Sequence, residues 1–373
     1  MTSGTSRVSP WQITVLVFTL SLCMTPLDLP ALLLPHLGPR NAWWGTLPAL
    51  PIGLWGTAAA AALGRRFPGR ALDRTAVAVL GPAAGYPYLV ALIALFLFST
   101  PACLLVFAPA AQGALLPRLP AAFVAIMVAA TGTYAARSGP ESVARSAEAF
   151  VPFLGAGLLA VYIPLLFTTH FGRLLPVRVP AWPTWWSGPV LGASGTIRGF
   201  LPLLVLGPLA ARPTSGRPVV AASIAAWVLI LASVVFPVAI FDAPLVQRFA
   251  FPFLSAEDSI GWRFLPLRSF ISLTLVVWYV VTFVVFSTYL WMAAWLLRRL
   301  VPALPRRGPV EVLGAAAALV ASIPFSEHTF HVMFITWDIA VVILGVLVPT
   351  LMVILSRRQD TVRGQARREG RAA

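Results

Sequence analysis

Apolar runs of roughly 20 residues recur from one end of this chain to the other, each long enough to cross a ~30 Å hydrocarbon core as a helix. Ten can be marked: 11–34, 43–63, 86–111, 121–136, 149–168, 189–210, 219–241, 270–297, 310–324 and 334–355. No stretch between them is long enough to fold as a separate soluble domain. Residues 1–356 are therefore expected to form one integral membrane domain, followed by a basic, disordered cytoplasmic tail over 357–373. Composition agrees: 59% of residues are hydrophobic, 10% are charged and the mean hydropathy is +0.86, whereas a soluble domain carries about a quarter charged residues.

Two of the runs are broken, one opening each half. The first is interrupted by Thr25-Pro26-Leu27-Asp28-Leu29-Pro30, the other by Gly192-Ala193-Ser194-Gly195-Thr196-Ile197-Arg198-Gly199. Prolines four apart remove backbone donors and clash with the preceding turn. The glycines favour an open backbone, although small residues also serve close helix packing. Lipid cannot bond a freed amide or carbonyl, so unwound backbone at membrane depth survives where it lines protein or a watery cavity.

The halves share more than the break. Runs one to five and six to ten both follow the order broken, ordinary, long, short, ordinary. Five crossings per half start the second half on the opposite side. The expected fold is all-α, with ten transmembrane helices arranged as a 5+5 inverted repeat and helices 1 and 6 broken. Paired breaks in such a repeat are the usual pointer to a small-ligand site near the midplane. Candidate ligand-binding residues are Thr25, Pro26, Leu27 and Asp28 in the first break, with Gly192, Ser194, Gly195, Thr196 and Arg198 in the second. Amides near Thr25–Leu27 and Ser194–Thr196 are expected to receive a carboxylate, a role that suits helix-half N-termini.

Asp28 and Arg198 are ionisable groups within apolar runs. Their depths differ by ~4–5 Å at 1.5 Å rise per residue, within reach of an arginine side chain. Buried charges of this kind pair or line a cavity. The two are expected to face one another, beside a ligand or as a purely architectural pair.

The net charge of +15 invites a nucleic-acid reading, which its distribution opposes. All 27 basic residues are arginine. With a cytoplasmic N-terminus, nineteen of them fall on inside segments, including Arg7, Arg65, Arg66, Arg212, Arg306 and Arg307. Seven fall outside, among them Arg263 and Arg268. That is the positive-inside signature, with both termini cytoplasmic. The first run continues to Pro35 without a small-x-small cleavage site, as an uncleaved span does. Cys23 and Cys103 lie inside runs, which opposes a disulfide framework.

Short motifs then line up in order. Ser9-Pro10-Trp11-Gln12 precedes the first run; Arg66-Phe67-Pro68, Leu80-Gly81 and Gly85 follow the second. Tyr134 and Gly139-Pro140-Glu141-Ser142-Val143-Ala144-Arg145 lie between the fourth and fifth, Leu175-Pro176 before the sixth, and Arg268 and Trp278 at the eighth. In this order they resemble the GerAB-type spore germination permease family. That family comprises B subunits of germinant receptors within the amino acid–polyamine–organocation superfamily. Leu201 follows Gly199-Phe200 where members commonly carry a carboxylate soon after. The resemblance implies a pocket for an amino acid or similar germinant and a bacterial spore inner-membrane setting. It also implies a larger A subunit and a lipoprotein C subunit as partners.

Other constellations are weaker. Glu327-His328-Thr329-Phe330-His331 lacks the helical H-E-x-x-H metal spacing and is expected to be a solvated outer loop. The thirteen tryptophans, such as Trp43-Trp44 and Trp182, Trp185 and Trp186, cluster at run ends as an aromatic belt does. The outer loop 242–268 alternates apolar and charged residues, so part of it is expected to lie as a helix on the membrane surface, as a lid or partner contact. Neither a phosphate loop nor a nucleophile elbow is present, and no cofactor or metal is expected. Three functions remain open: a ligand-sensing permease-like subunit, a proton- or cation-coupled amino acid or amine transporter, and a membrane scaffold or lipid-handling enzyme whose breaks are only kinks.

Overall fold

In the computed structural model, which describes residues 8–23, 25–114, 116–210, 216–260, 271–305 and 308–358, the first helix, α1 (Pro10–Leu22), begins on a capping box. The Ser9 hydroxyl accepts the Gln12 N–H at 3.1 Å, and the Gln12 side-chain oxygen accepts the Ser9 N–H at 3.0 Å. Two amides without helical partners are thereby satisfied. Pro10 at the first helical position costs nothing, because its missing N–H has no partner there. The Gln12 amide nitrogen then donates to Glu148 at 2.8 Å. The Ser-x-x-Gln spacing is therefore a helix start and a tertiary tether in one. Ser9→Ala is expected to cost about 1 kcal/mol in thermal unfolding, with Ser9→Asp close to wild type. Equal stability of all three would mean that the cap contributes nothing.

After α1 come α2 (Thr25–Leu37), a 3-10 segment (Pro39–Thr46), α3 (Ala49–Arg66), α4 (Leu72–Leu80) and α5 (Pro82–Ala114). Then follow α6 (Ala121–Arg137), α7 (Pro140–Thr168), α8 (Gly188–Ser194), α9 (Phe200–Leu206) and α10 (Gly216–Ile240). The chain closes with α11 (Ala243–Val246), α12 (Pro252–Asp258), α13 (Ile271–Leu300), α14 (Gly308–Ala321) and α15 (Glu327–Val342). The helix begun by α15 continues through a π turn at Ile343–Leu347 to Arg358. Each run marked from the sequence is mostly helical where it is described. Among the described residues seven helices are long and apolar enough to cross a membrane, while Ala121–Arg137, Phe200–Leu209 and Gly308–Ala321 are shorter apolar helices.

The centre of the bundle is α13 against α5, its most extensive helix contact. Both are apolar around nearly their whole circumference, as an element enclosed by others must be. Phe96, Phe286, Tyr289 and Leu290 are fully buried there. Lipid-facing residues such as Leu159, Phe167 and Leu319 are exposed. At the α4–α5 turn Gly81 has φ +78, and a Cβ on Gly85 would stand 2.8 Å from the Val77 Cα. The Leu-Gly-x-x-x-Gly spacing thus makes a left-handed turn and then a backbone crossing too close for any side chain.

The first break lies upstream of its expected place. Cys23 turns the chain with φ +37, a region side chains rarely adopt, and α2 starts at Thr25. Residues 25–30 are helical, because Pro26 sits in the first turn where the lost donor matters least. Pro30 is carried inside α2. The second break is narrower than expected: Gly192 and Ser194 belong to α8, and the chain unwinds over 195–199.

Two loop expectations are corrected. Residues 327–331 open α15, with Ser326 as N-cap accepting the Thr329 N–H at 3.2 Å. In the outer loop, α12 does not lie on lipid. Its Phe253, Leu254 and Ala256 are buried, and it packs against α2 and α10. Aromatic stacking is extensive at run ends, where Trp43 and Trp44 are stacked at 4.4 Å and Trp185 meets Trp44 edge-on. Arg7, Arg212, Arg263, Arg268, Arg306, Arg307 and the tail over 359–373 lie outside the described residues.

Candidate functional site

The two breaks meet, and the second is gripped from both sides. A Cβ on Gly199 would fall 2.2 Å from the Val17 carbonyl oxygen of α1. The Gly199 N–H donates to the Ser21 hydroxyl at 3.0 Å, which answers one backbone donor freed by unwinding. On the other side, a Cβ on Gly195 would fall 2.3 Å from the Asp338 carbonyl oxygen of α15, and Gly192 faces Ile335. Phe200, opening α9, is clamped where Gly56 and Gly345 leave room for its ring. Gly345 lies in the π turn of the last helix, and the Leu344 carbonyl there accepts from the Tyr88 hydroxyl at 3.1 Å. A π turn loosens the backbone ladder, and here a side chain from α5 supplies the partner.

Arg198 occupies the middle of this arrangement, 4% exposed. Its guanidinium donates to Asp338 Oδ1 at 2.7 Å and lies 3.8 Å above the Trp337 ring. Weaker contacts reach the Gly195 carbonyl at 3.4 Å and Cys23 Sγ at 3.9 Å, on the residue that breaks the first span. Trp337 is held in turn by donating to Ser99 Oγ at 3.0 Å. The expected Asp28–Arg198 pair is thus corrected: the bonded carboxylate is Asp338. Asp28 stands in the first turn of α2, within electrostatic reach of both Arg198 and Asp338. A carboxylate in that turn complements the helix dipole.

The remaining candidates divide. Thr25, Pro26 and Leu27 are buried at the start of α2, and the Thr25 hydroxyl has no hydrogen-bond partner among the described residues. In the second break, the Gly195 N–H donates to the Gly192 carbonyl at 2.9 Å and the Thr196 N–H to Ala193 at 3.2 Å. The Ser194 and Thr196 hydroxyls donate to Leu191 and Ala193 carbonyls. These amides are already turned onto their own helix end, so an anion has freer donors on the α2 side. Asp338 was missed, although a lone carboxylate inside the run 334–355 is the same kind of signal that singled out Asp28 and Arg198.

Other motif residues act as ties. Arg66 donates to the Ser356 carbonyl at 2.7 Å, joining α3 to the end of the last helix. Glu141 and Arg145 pair one turn apart on α7. The family profile described as "Spore germination protein" matches residues 7–330. The chain belongs to the spore germination permease family.

None of the curated proteins matches this permease. Among solved structures it is similar to MhsT in complex with L-phenylalanine, at 14% identity and a TM-score of 0.66, over 94% of this chain and 89% of that one. It is also similar to variants of the Eremococcus coleocola manganese transporter, one at 14% identity and a TM-score of 0.61, covering 93% of this chain and 78% of that one. At such identities the likeness shows the fold: an all-helical, inverted-repeat transporter architecture with helices 1 and 6 broken. The protein is accordingly a permease-like integral membrane protein.

Proposed function

We propose that this permease is the germinant-sensing subunit of a spore germination receptor, binding an amino acid or similar small molecule where the two breaks meet. One observation carries the reading: α2 begins beside the Arg198–Asp338 pair with a buried hydroxyl, Thr25 Oγ1, that no described residue satisfies. The Leu27 amide, in the first turn of the same helix, is one that a helix leaves without an intrahelical partner. Together they suit a carboxylate, and the Asp28 carboxylate suits an ammonium group. Gly192, Ser194, Gly195 and Thr196 form the opposite wall, their hydroxyl lone pairs left to accept. That a relative in fold was solved with L-phenylalanine supports the ligand class.

Binding acts by differential affinity for two packings of the bundle, the state with ligand being passed to the A and C subunits. The setting is the bacterial cell or spore inner membrane with both termini cytoplasmic. A second reading, proton- or cation-coupled amino acid or amine transport, is favoured by the ionisable cluster of Asp28, Arg198 and Asp338 at depth. Uptake into proteoliposomes separates the two: gradient-driven accumulation by the isolated chain supports transport.

Thr25→Val is expected to weaken binding of the best L-amino acid found by thermal-shift screening by about tenfold. Thr25→Ser should retain it. Equal affinity of all three proteins would remove the α2 start from the site.

A further inference from the structure

A second polar cluster lies away from the breaks, beneath α12. Glu257 is 1% exposed, and among the described residues neither carboxylate oxygen has a well-aligned hydrogen-bond partner. Among the described residues no arginine pairs with it: the ion pairs are Arg137–Glu311, Arg145–Glu141, Arg173–Asp242, Arg198–Asp338 and Arg299–Asp73. Among the described residues two more buried oxygens there lack a well-aligned partner, Thr274 Oγ1 at the start of α13 and the Tyr162 hydroxyl of α7. The Thr274 hydroxyl lies within hydrogen-bonding reach of the Glu257 carboxylate and the Tyr162 hydroxyl within reach of its charge, and α12 packs on both of these helices.

Three buried oxygen-bearing side chains from three helices, none bonded outside the cluster among the described residues, are costly unless something joins them. The charge balance says what. The cluster holds one carboxylate and two neutral hydroxyls, so a single positive charge neutralises it. Hard oxygen donors suit an alkali cation, whereas the cluster holds no nitrogen or sulfur donor among the described residues to favour a transition metal. The backbone adds to this. Glu257 lies in the last turn of α12, where carbonyl ends carry partial negative charge and disfavour an unpaired carboxylate.

We infer that Glu257, Thr274 and Tyr162 form a monovalent-cation site that fastens α12 to α7 and α13. Without the cation the site favours a proton, since burial pushes the Glu257 carboxyl well above the usual carboxylate range. The cation comes from the side of the membrane that α12 covers. Its role is separate from amino-acid binding at the breaks, because the cluster shares no residue with that site.

The test is thermal unfolding of the full chain in nanodiscs at pH 8, in sodium, potassium or N-methyl-D-glucamine chloride at equal ionic strength and without amino acid. Wild type should melt several degrees higher in at least one alkali chloride, saturably with concentration. Glu257→Gln should melt at one temperature in all three salts. Thr274→Val, which leaves the carboxylate in place, should need several-fold more cation for the same shift. If Glu257→Gln fails to fold, Thr274→Val and Tyr162→Phe carry the test. Equal melting of wild type in the three salts overturns the inference and leaves the proton as the only occupant. A cation response that survives unchanged in the variants overturns it as well. Neither outcome bears on amino-acid binding, which is read separately.

Discussion

Asp338→Ala should lower the stability of this permease by about 3–5 kcal/mol, because it strands a buried guanidinium. Arg198 is 4% exposed, and Asp338 is its one ion-pair partner among the described residues. The other contacts, the Trp337 ring, the Gly195 carbonyl and the Cys23 sulfur, offer only partial charges and cannot neutralise a full one. Asp338→Asn keeps an acceptor at 2.7 Å range and should recover part of the loss. The double replacement Arg198→Met with Asp338→Leu should recover most of it, since exchanging both members of a buried pair for apolar groups is often neutral. A double-mutant cycle by thermal or denaturant unfolding in nanodiscs gives the coupling directly. If Asp338→Ala cost less than about 1 kcal/mol, the guanidinium would have to be neutralised by another group, and Asp28 is the nearest candidate by charge.

Gly195→Val should be the more disruptive change for function. The first added carbon would lie 2.3 Å from the Asp338 carbonyl oxygen and 2.8 Å from its carbonyl carbon, both backbone atoms of α15. No rotamer relieves a clash at Cβ, so α8 and the last helix must separate. Overpacking of this kind costs about 1–3 kcal/mol or more, and here it also displaces Arg198, three residues on. Ligand response should be lost. Gly188→Ala, on the same face of α8, is the matched control, because its nearest neighbour, Ile335 Cγ2, would stand at an ordinary 3.6 Å. Amino-acid-dependent thermal shift and receptor-dependent germination would be measured for both variants. Unchanged response in Gly195→Val would detach the second break from ligand recognition.

These two sites show how far the residues could be read in one dimension. The apolar runs, the interruptions opening each half and the ordered family motifs were all visible, because membrane helices satisfy their own backbone bonds and so announce themselves by length and composition. The Ser9–Gln12 spacing and the Gly81–Gly85 spacing also carried their local structure within them. The partner of Arg198 did not. Depth along a helix can be counted at 1.5 Å per residue, but the direction in which a side chain points depends on how neighbouring helices are rotated. Counted from the outer ends of their runs, Asp28 lies nearer to Arg198 in depth than Asp338 does, yet packing of Gly195 against Asp338 made Asp338 the partner.

The placement of α12 makes the same point. The alternation of apolar and charged residues along 242–268 suits a helix on lipid, and only contact with α2 and α10 shows that α12 covers the bundle instead. Sequence alone thus determined the membrane class, the approximate positions of the helices, the repeat and the family. Tertiary structure alone decided which charges pair, which glycines are contacts rather than hinges, and where a carboxylate is buried away from any arginine among the described residues. The physical reason is that helix formation in lipid is set by bonds within five residues, whereas pairing is set by close-packed contacts between residues more than a hundred positions apart.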